Sequence, residues 1–350
     1  MTTLSKMEEK VMAKIAVAGN LVVDLIKMVE RYPEREMLTT IREIGKSVGG
    51  CVANVGIYLQ QLSGIAVSAY GKVGQDDNGR FLIDRLSAYG IDVSHVRQTA
   101  QVATSFTDVM TECEGGRRTF FHFRGANARF GIGDVDPDTL EADLFHIGYA
   151  MLLDGLDAED EQYGTVMARL LCAVRKRGIR TSLDVVSESS SGFPKVIGPS
   201  LPYCDYIIIN ETEAGLISGL DPMGAGGTAD PVRIERICRW FLQQGIKEKV
   251  VVHCREFGAS MNASDGAFTL VPSLSLPKGY IKGSVGAGDA FCAGMLYSLV
   301  NGLDDRTALS VAAGVAASNL AYPDSVGGAR PIGEIMKIIQ LYGGQNDQQV

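Results

Sequence analysis

A chain of 350 residues is long enough to bury one large α/β core, or a large domain with a small one. With 46% hydrophobic and 21% charged residues it has the composition of a globular protein. A formal net charge of −8 argues against a nucleic-acid-binding surface, so phosphate ligands would be held by backbone amides, a few placed cations and a metal ion. The cysteines (Cys51, Cys113, Cys172, Cys204, Cys238, Cys254, Cys292) are odd in number, scattered and without a C-x-x-C pair. Neither a disulfide framework nor a zinc site is expected from them. Residues 1–14 hold no apolar signal core and no later run approaches a membrane span, which predicts a soluble cytoplasmic protein with no membrane partner.

In chain order, Ile15 to Asn20 is a short apolar run ending in turn residues and reads as a buried strand. Asn20 and Asp24 then place an amide and a carboxylate beyond its carboxyl end, where open α/β sheets bind ligands; turn capping is the alternative. Gly49 and Gly50 enter an apolar helix that holds one amide, Asn54. The glycines permit close backbone approach and Asn54 can donate and accept toward a polyol hydroxyl, although helix packing explains the glycines equally well. Val67 to Gly74 reads as a strand and about Asn78 to Tyr89 as a helix. Two stretches, 27–46 and 101–130, alternate apolar and polar residues without a crossover helix, and Glu114-Gly115-Gly116 signals a hairpin. These predict antiparallel strands projecting as a small β-sheet lid, or else ordinary edge hairpins.

Asp143–Gly148, Arg180–Val185, Tyr206–Asn210 and Lys249–His253 read as further strands separated by helix-compatible sequence. Alternation of this kind predicts an α/β fold with a mostly parallel central sheet covered by helices on both faces. After the third of these strands, the carboxylates of Asn210-Glu211-Thr212-Glu213 could orient hydrated magnesium, and the same string reads as a helix capping box. The stretch Lys282-Gly283-Ser284-Val285-Gly286-Ala287-Gly288-Asp289 runs into an apolar helical pattern. Such a loop can turn N–H groups and a helix dipole toward one anion, with Asp289 placed to take a proton from a hydroxyl nucleophile. Alone, it also fits a strand-to-helix turn with Asp289 as the cap.

Taken in order, Gly19 to Asp24, Gly49-Gly50 to Asn54, Gly71 to Gly79, Gly125-Ala126-Asn127, Asn210 to Glu213 and Gly286-Ala287-Gly288-Asp289 resemble the ribokinase-type (PfkB) carbohydrate kinase family. The resemblance covers about residues 13–335 and leaves 1–12 and 344–350 as terminal extensions. It implies a Rossmann-like ribokinase fold with a β-sheet lid, and ATP- and Mg2+-dependent phosphorylation of a hydroxymethyl group. By position it makes Asp289 the base and the amides of Gly286, Ala287 and Gly288 the anion hole. Asn20, Asp24, Gly49, Gly50 and Asn54 would line the sugar site, and Asn210 and Glu213 would organise magnesium and phosphate water. Ala312 to Asn319 resembles the family's helix beside the adenine pocket, and Ser284 with nearby carbonyls its monovalent-cation site. Gly283 and Val285 replace the family's acid and hydroxyl there, which argues against K+ activation. His253-Cys254-Arg255 stands before Phe257-Gly258 where the family has Thr-Leu-Gly; that strand end approaches the nucleotide, so Arg255 either contacts a phosphate or points to solvent.

For the acceptor, Arg117, Arg118 and Arg124 could reach a carboxylate or phosphate, or be solvated lid charges. Phe106, Phe120 and Phe123 could stack on a nucleoside, or fill the lid. A nucleoside kinase of the same fold, or a catalytically weak sugar- or nucleotide-binding relative, is thus the alternative reading. A nicotinamide oxidoreductase fails because Gly19 to Asp24 is not a G-x-G-x-x-G. The apolar alternation in Thr104 to Phe123 permits a homodimer through the lid.

Overall fold

The computed structural model describes residues 12–187 and 192–343. Its strands are β1 (Ala13–Gly19), β2 (Val22–Val29), β3 (Ile41–Gly49), β4 (Ile65–Gly74), β5 (Val96–Thr99), β6 (Phe106–Glu112), β7 (Arg118–Phe123), β8 (Leu144–Ala150), a short pair β9 (Glu159–Asp160) and β10 (Gly164–Thr165), β11 (Arg180–Val185), β12 (Tyr206–Asn210), β13 (Lys249–His253), β14 (Phe257–Asn262) and β15 (Phe268–Pro272). A nine-stranded sheet has the order β15-β14-β13-β12-β11-β8-β1-β4-β5. Strands β13 through β5 run parallel, and β14 and β15 add an antiparallel edge. The terminal extensions expected at 1–12 and 344–350 lie, Met12 aside, outside the described residues.

Period-two alternation divides the interior. Ile15 and Val17 of β1 enter one hydrophobic core, while Ala16 and Ala18 enter the other. The first core holds the helices Cys51–Leu62, Ala287–Val300 and Asp305–Leu320, and the second holds Val166–Lys176 and Pro231–Gln243. Because both faces are covered, β1 from Ile15, β8 apart from the buried His146, and β12 up to Ile209 read as near-continuous apolar runs. Among the described residues no helix is long and apolar enough to cross a membrane.

A separate four-stranded sheet, β3-β2-β6-β7, stands over the carboxyl ends of the parallel strands. Its outer pairs are antiparallel, but β2 and β6 are parallel, with Val23 opposite Phe106. The expectation of antiparallel strands throughout is therefore corrected. β2 leaves directly from the end of β1, and β6 returns in the same direction after the chain has passed through β3, β4, β5 and two helices. The sheet also reaches from Val22 to Gly49, beyond the expected 27–46.

The lid is tied down at its base. Asn127 accepts from the Leu21 N–H and donates to the Leu21 carbonyl, both at 3.1 Å. Asp76 caps the helix Asp77–Ala88 and accepts from both the N–H and the hydroxyl of Thr104, at 2.8 and 2.6 Å. Below the lid, the helices Ala287–Val300 and Asp305–Leu320 approach so closely that a Cβ on Gly294 would lie 2.6 Å from the Ala312 Cα. Gly294→Val is expected to cost about 1–3 kcal/mol through overpacking. Thermal unfolding checks this, and an unchanged Tm would contradict the close helix contact.

Candidate active site

Three cavities meet at the start of the helix Ala287–Val300. One, of about 720 Å³, lies under the lid and is lined by Asp24, Lys46, Arg118, Phe120, Lys282 and Val285. A second, of about 930 Å³, lies beside the helices and is lined by Arg255, Ser284, Ala287, Phe291, Ala313 and Ala317. Between them a chamber of about 220 Å³ is lined by Tyr149, Asp184, Asn210, Glu213, His253 and Asp289. The segment 282–288 thus forms a wall of all three: Val285 faces the lid cavity, Ser284 and Ala287 the helix-side cavity, and Gly286 and Gly288 the chamber.

Local chemistry explains this segment. Gly286 has φ 76° and a Cβ there would sit 2.7 Å from the Ser325 carbonyl oxygen, so only glycine makes the turn. The Ala287 N–H turns back onto the Ser284 carbonyl at 3.3 Å, which removes one of the three expected anion-hole donors. The first-turn amides of Gly288 and Asp289 have no intrahelical acceptor and remain for an anion. His253 abuts Gly288, where a Cβ would lie 3.4 Å from its ring, and burial pulls its pKa down to about 4. The ring is therefore neutral at physiological pH.

Asp289 is 4% exposed. Its Oδ2 accepts from Asn54 Nδ2 at 2.8 Å and from the Tyr149 hydroxyl at 2.9 Å. Burial raises its pKa to about 6, with both donors restraining the rise. Three more carboxyls converge. Burial, then the nearby Asp289, raises Asp24 to about 7, with Arg118 opposing. Burial also lifts Glu213 to about 7, against hydrogen bonds from Asn210 and Ser187. Asp184 is pushed well up by burial and by the charges of Glu213 and Asp289.

Asn210 and Glu213 form a reciprocal capping box, with Glu213 N–H to Asn210 Oδ1 and Asn210 N–H to Glu213 Oε2 both at 2.9 Å. The Ser187 hydroxyl donates to Glu213 Oε1 at 2.8 Å. The cap and the chamber position coexist, because the box uses the carboxylate's edge while the group still lines the chamber.

The structure brings Asp24, Asn210, Glu213, Ser284, Gly286, Gly288 and Asp289 together around these cavities, with Arg255 on the helix side and Asn54 behind Asp289, to which it donates. Gly49 makes room for the Asp24 carboxylate, which a Cβ would meet at 2.5 Å, and Gly50 has φ 82° and abuts the Asn20 carbonyl. Other expected site residues stand elsewhere. Asn20 is fully buried, with its amide donating to the Tyr149 carbonyl at 3.2 Å, so it lies beneath the site. Arg124 ion-pairs with Asp154 and lines none of the three cavities. Asn319 is buried and donates to Tyr58 and to the Ser325 carbonyl, each at 3.0 Å, bracing a loop instead of a nucleotide. Gly258 gives space to Phe291, itself a wall of the helix-side cavity. Tyr149 and Asp184 escaped the sequence reading, though both end strands whose carboxyl ends form ligand sites in open α/β sheets.

Fold and site together define a phosphotransferase with an alcohol group as acceptor. A model of the pfkB family carbohydrate kinase matches residues 12–328, and the chain belongs to this family of sugar kinases. It is 24% identical over 297 residues to a 5-dehydro-2-deoxygluconokinase of Clostridium perfringens, covering 81% of each chain. The fold superposes on Arabidopsis thaliana ribokinase complexed with ribose and ATP with a TM-score of 0.76, at 18% identity over 94% of this chain and 99% of that one. A putative Ribokinase II from E. coli in complex with ATP and Mg2+ gives 0.75, at 20% identity over 94% and 100%.

The carboxyl cluster has a consequence for stability. A carboxyl whose folded pKa lies above its unfolded value binds more protons when folded, so its contribution is present at low pH and lost as pH rises through the folded pKa. For Asp289 the window runs from the ordinary aspartate value of 3.8 to about 6. Asp289→Asn is expected to be the more stable protein at pH 8, by about 2–3 kcal/mol, with the advantage vanishing near pH 4. Comparing the variant with the wild type cancels the opposite trend from His146 and His253, whose pKa values burial lowers. Paired melts across this range check it; equal Tm values at pH 8 would refute the assigned burial.

Proposed function

We propose that the chain transfers the terminal phosphoryl group of ATP to a hydroxymethyl group of a small sugar or sugar-like acceptor, with Asp289 as the base. The observation that carries this reading is the wall formed by 282–288, with Asp289 in the chamber between two larger cavities. The acceptor occupies the lid cavity and the nucleotide the helix-side cavity, its terminal phosphate entering the chamber. The acceptor's O–H bond breaks as its oxygen bonds phosphorus, the proton passes to the Asp289 carboxylate, and ADP leaves with the old bridging oxygen. The Gly288 and Asp289 amides meet the phosphoryl oxygens as charge moves onto them. Asn54 acts from behind the cavities, its Nδ2 donating to Asp289 Oδ2.

The chamber fits magnesium as well as phosphate. Among the described residues it is lined by three carboxyl groups and no lysine or arginine. Burial that pushes both Glu213 and Asp184 up marks anionic groups short of a counter-charge. Glu213 and Asp184, with Asn210, would hold the ion through its waters, and a bound ion supplies neutralisation of the transferring group. At the proposed monovalent-cation position, residues 283 and 285 offer no side-chain oxygen. Turnover is expected to be the same in potassium as in sodium buffer, and a large potassium stimulation would refute this.

ADP release over a panel of neutral sugars, sugar acids, sugar phosphates and nucleosides tests the reading. The nucleosides belong in it because the half-exposed Phe120 lines the lid cavity. Asp289→Asn is expected to lose at least about 10³-fold in kcat, the upper part of what a general base and its positioning supply. Undiminished turnover in that variant would overturn the base assignment. Glu213→Gln is expected to weaken Mg2+ binding, read as a higher Mg2+ concentration for half-maximal rate.

A further inference from the structure

We infer that Tyr149 is a positioning residue for the base: with Asn54 it clamps Asp289 Oδ2, leaving Oδ1 as the oxygen that takes the acceptor's proton, and Asn20 holds Tyr149 in place to do so. This rests on the reading of Asp289 as the base.

The backbone supports it first. Tyr149 has φ 59° and Met151 φ 86°, two non-glycine residues in the left-handed region within three positions at the end of β8. Such strain persists only where the surroundings over-determine it. Here the Tyr149 carbonyl accepts from Asn20 Nδ2 and from the Leu152 N–H, both at 3.2 Å. Asn20 is brought there by the pairing of Gly19 with Gly148 across β1 and β8. A Cβ on Gly19 would lie 2.4 Å from the Gly148 carbonyl oxygen, so this approach depends on glycine. The turn swings the Tyr149 ring out of the strand's regular alternation and carries its hydroxyl to Asp289.

The hydrogen bonds then define the role. Both donors reach Oδ2, and among the described residues none reaches Oδ1. Other titratable groups surround the carboxylate: Asp24 from the lid, Asp184 from β11, Glu213 from the helix Glu211–Ser218, Cys51 from the helix opposite, Cys292 one turn on and His253 beside Gly288. None of them donates to it. A hydroxyl donating to a carboxylate favours its ionised form, so losing the Tyr149 hydroxyl leaves Asp289 protonated to higher pH.

The test follows the Asp289 carboxyl directly in the full-length protein. With ¹³C-carboxyl aspartate, the resonance absent from Asp289→Asn is titrated by NMR in wild type, Tyr149→Phe and Asn20→Ala. Tyr149→Phe is expected to raise the midpoint by about one pH unit, as loss of a hydrogen bond to a buried carboxylate does. Asn20→Ala should shift it the same way, and the double variant no further than Tyr149→Phe. With an acceptor from the panel, kcat in Tyr149→Phe is expected to fall about tenfold at pH 7, within the range a positioned proton-transfer group supplies, and to recover partly above pH 8. An unmoved midpoint in Tyr149→Phe, or in Asn20→Ala should Tyr149→Phe not fold, overturns the clamp. Full turnover by Asp289→Asn would overturn the base reading instead, so the two failures are distinct.

Discussion

The active site depends on keeping one carboxylate out of water while leaving it able to ionise. Burial alone would neutralise Asp289, and a neutral acid takes no proton. Two hydrogen-bond donors and the first turn of a helix work against burial, and the balance lies at about pH 6. That value suits a general base at neutral pH, since the group is mostly ionised yet far more basic than an exposed aspartate. Asp24, Asp184 and Glu213 share the same low-dielectric setting and repel it. Their crowding destabilises the ligand-free protein at neutral pH and prepares a place for positive charge.

A second constraint makes the lid, the 282–288 loop and Asp289 one mechanical unit. The Ser325 carbonyl occupies the space that a side chain at Gly286 would need, while the Ser325 hydroxyl donates to Val48 of β3 at 3.1 Å. Arg118 of β7 donates to the Pro323 carbonyl at 3.1 Å, and Asn319 holds the Ser325 carbonyl from below. A displacement of the lid is therefore felt at the glycine turn that precedes Asp289. Asn127 on Leu21 and Asp76 on Thr104 limit that displacement by anchoring the two segments through which the chain enters the lid, before β2 and before β6.

Patterning made the core legible. Short apolar runs alternating with amphipathic helices leave little choice but a parallel sheet covered on both faces, and each strand named from the sequence is present. The lid was legible as alternation, but the direction of its strands was not: β2 and β6 are remote in sequence, and strand alternation is the same for parallel and antiparallel pairs. At the site, Asp289 and the Asn210–Glu213 box could be read because a glycine turn and a capping box have local signatures. Tyr149 could not, since its importance comes from a strained φ and a partner 140 residues away. Asn20 and Asn319 show the converse: each has the right residue type near a ligand site, and each serves buried backbone carbonyls instead.

If the acceptor binds under the lid as proposed, its recognition turns on which arginine faces that cavity. Arg117 pairs with Glu112 and Arg124 with Asp154, both outside the lid cavity. Arg118 alone of the three lines it, and its guanidinium faces Asp24 while tied to the Pro323 carbonyl. Lys46 stands over the Phe81 ring at 4.4 Å, and Glu43 and Asp324 offset the cations in the cavity wall. The lid cavity is thus of mixed sign. Asp24, raised to about 7, is close to half-protonated at neutral pH and can accept from or donate to hydroxyls. In the proposed reading, selectivity would lie in the placement of hydroxyls around Asp24, with the Arg118 guanidinium favouring an anionic group set at the correct distance from them.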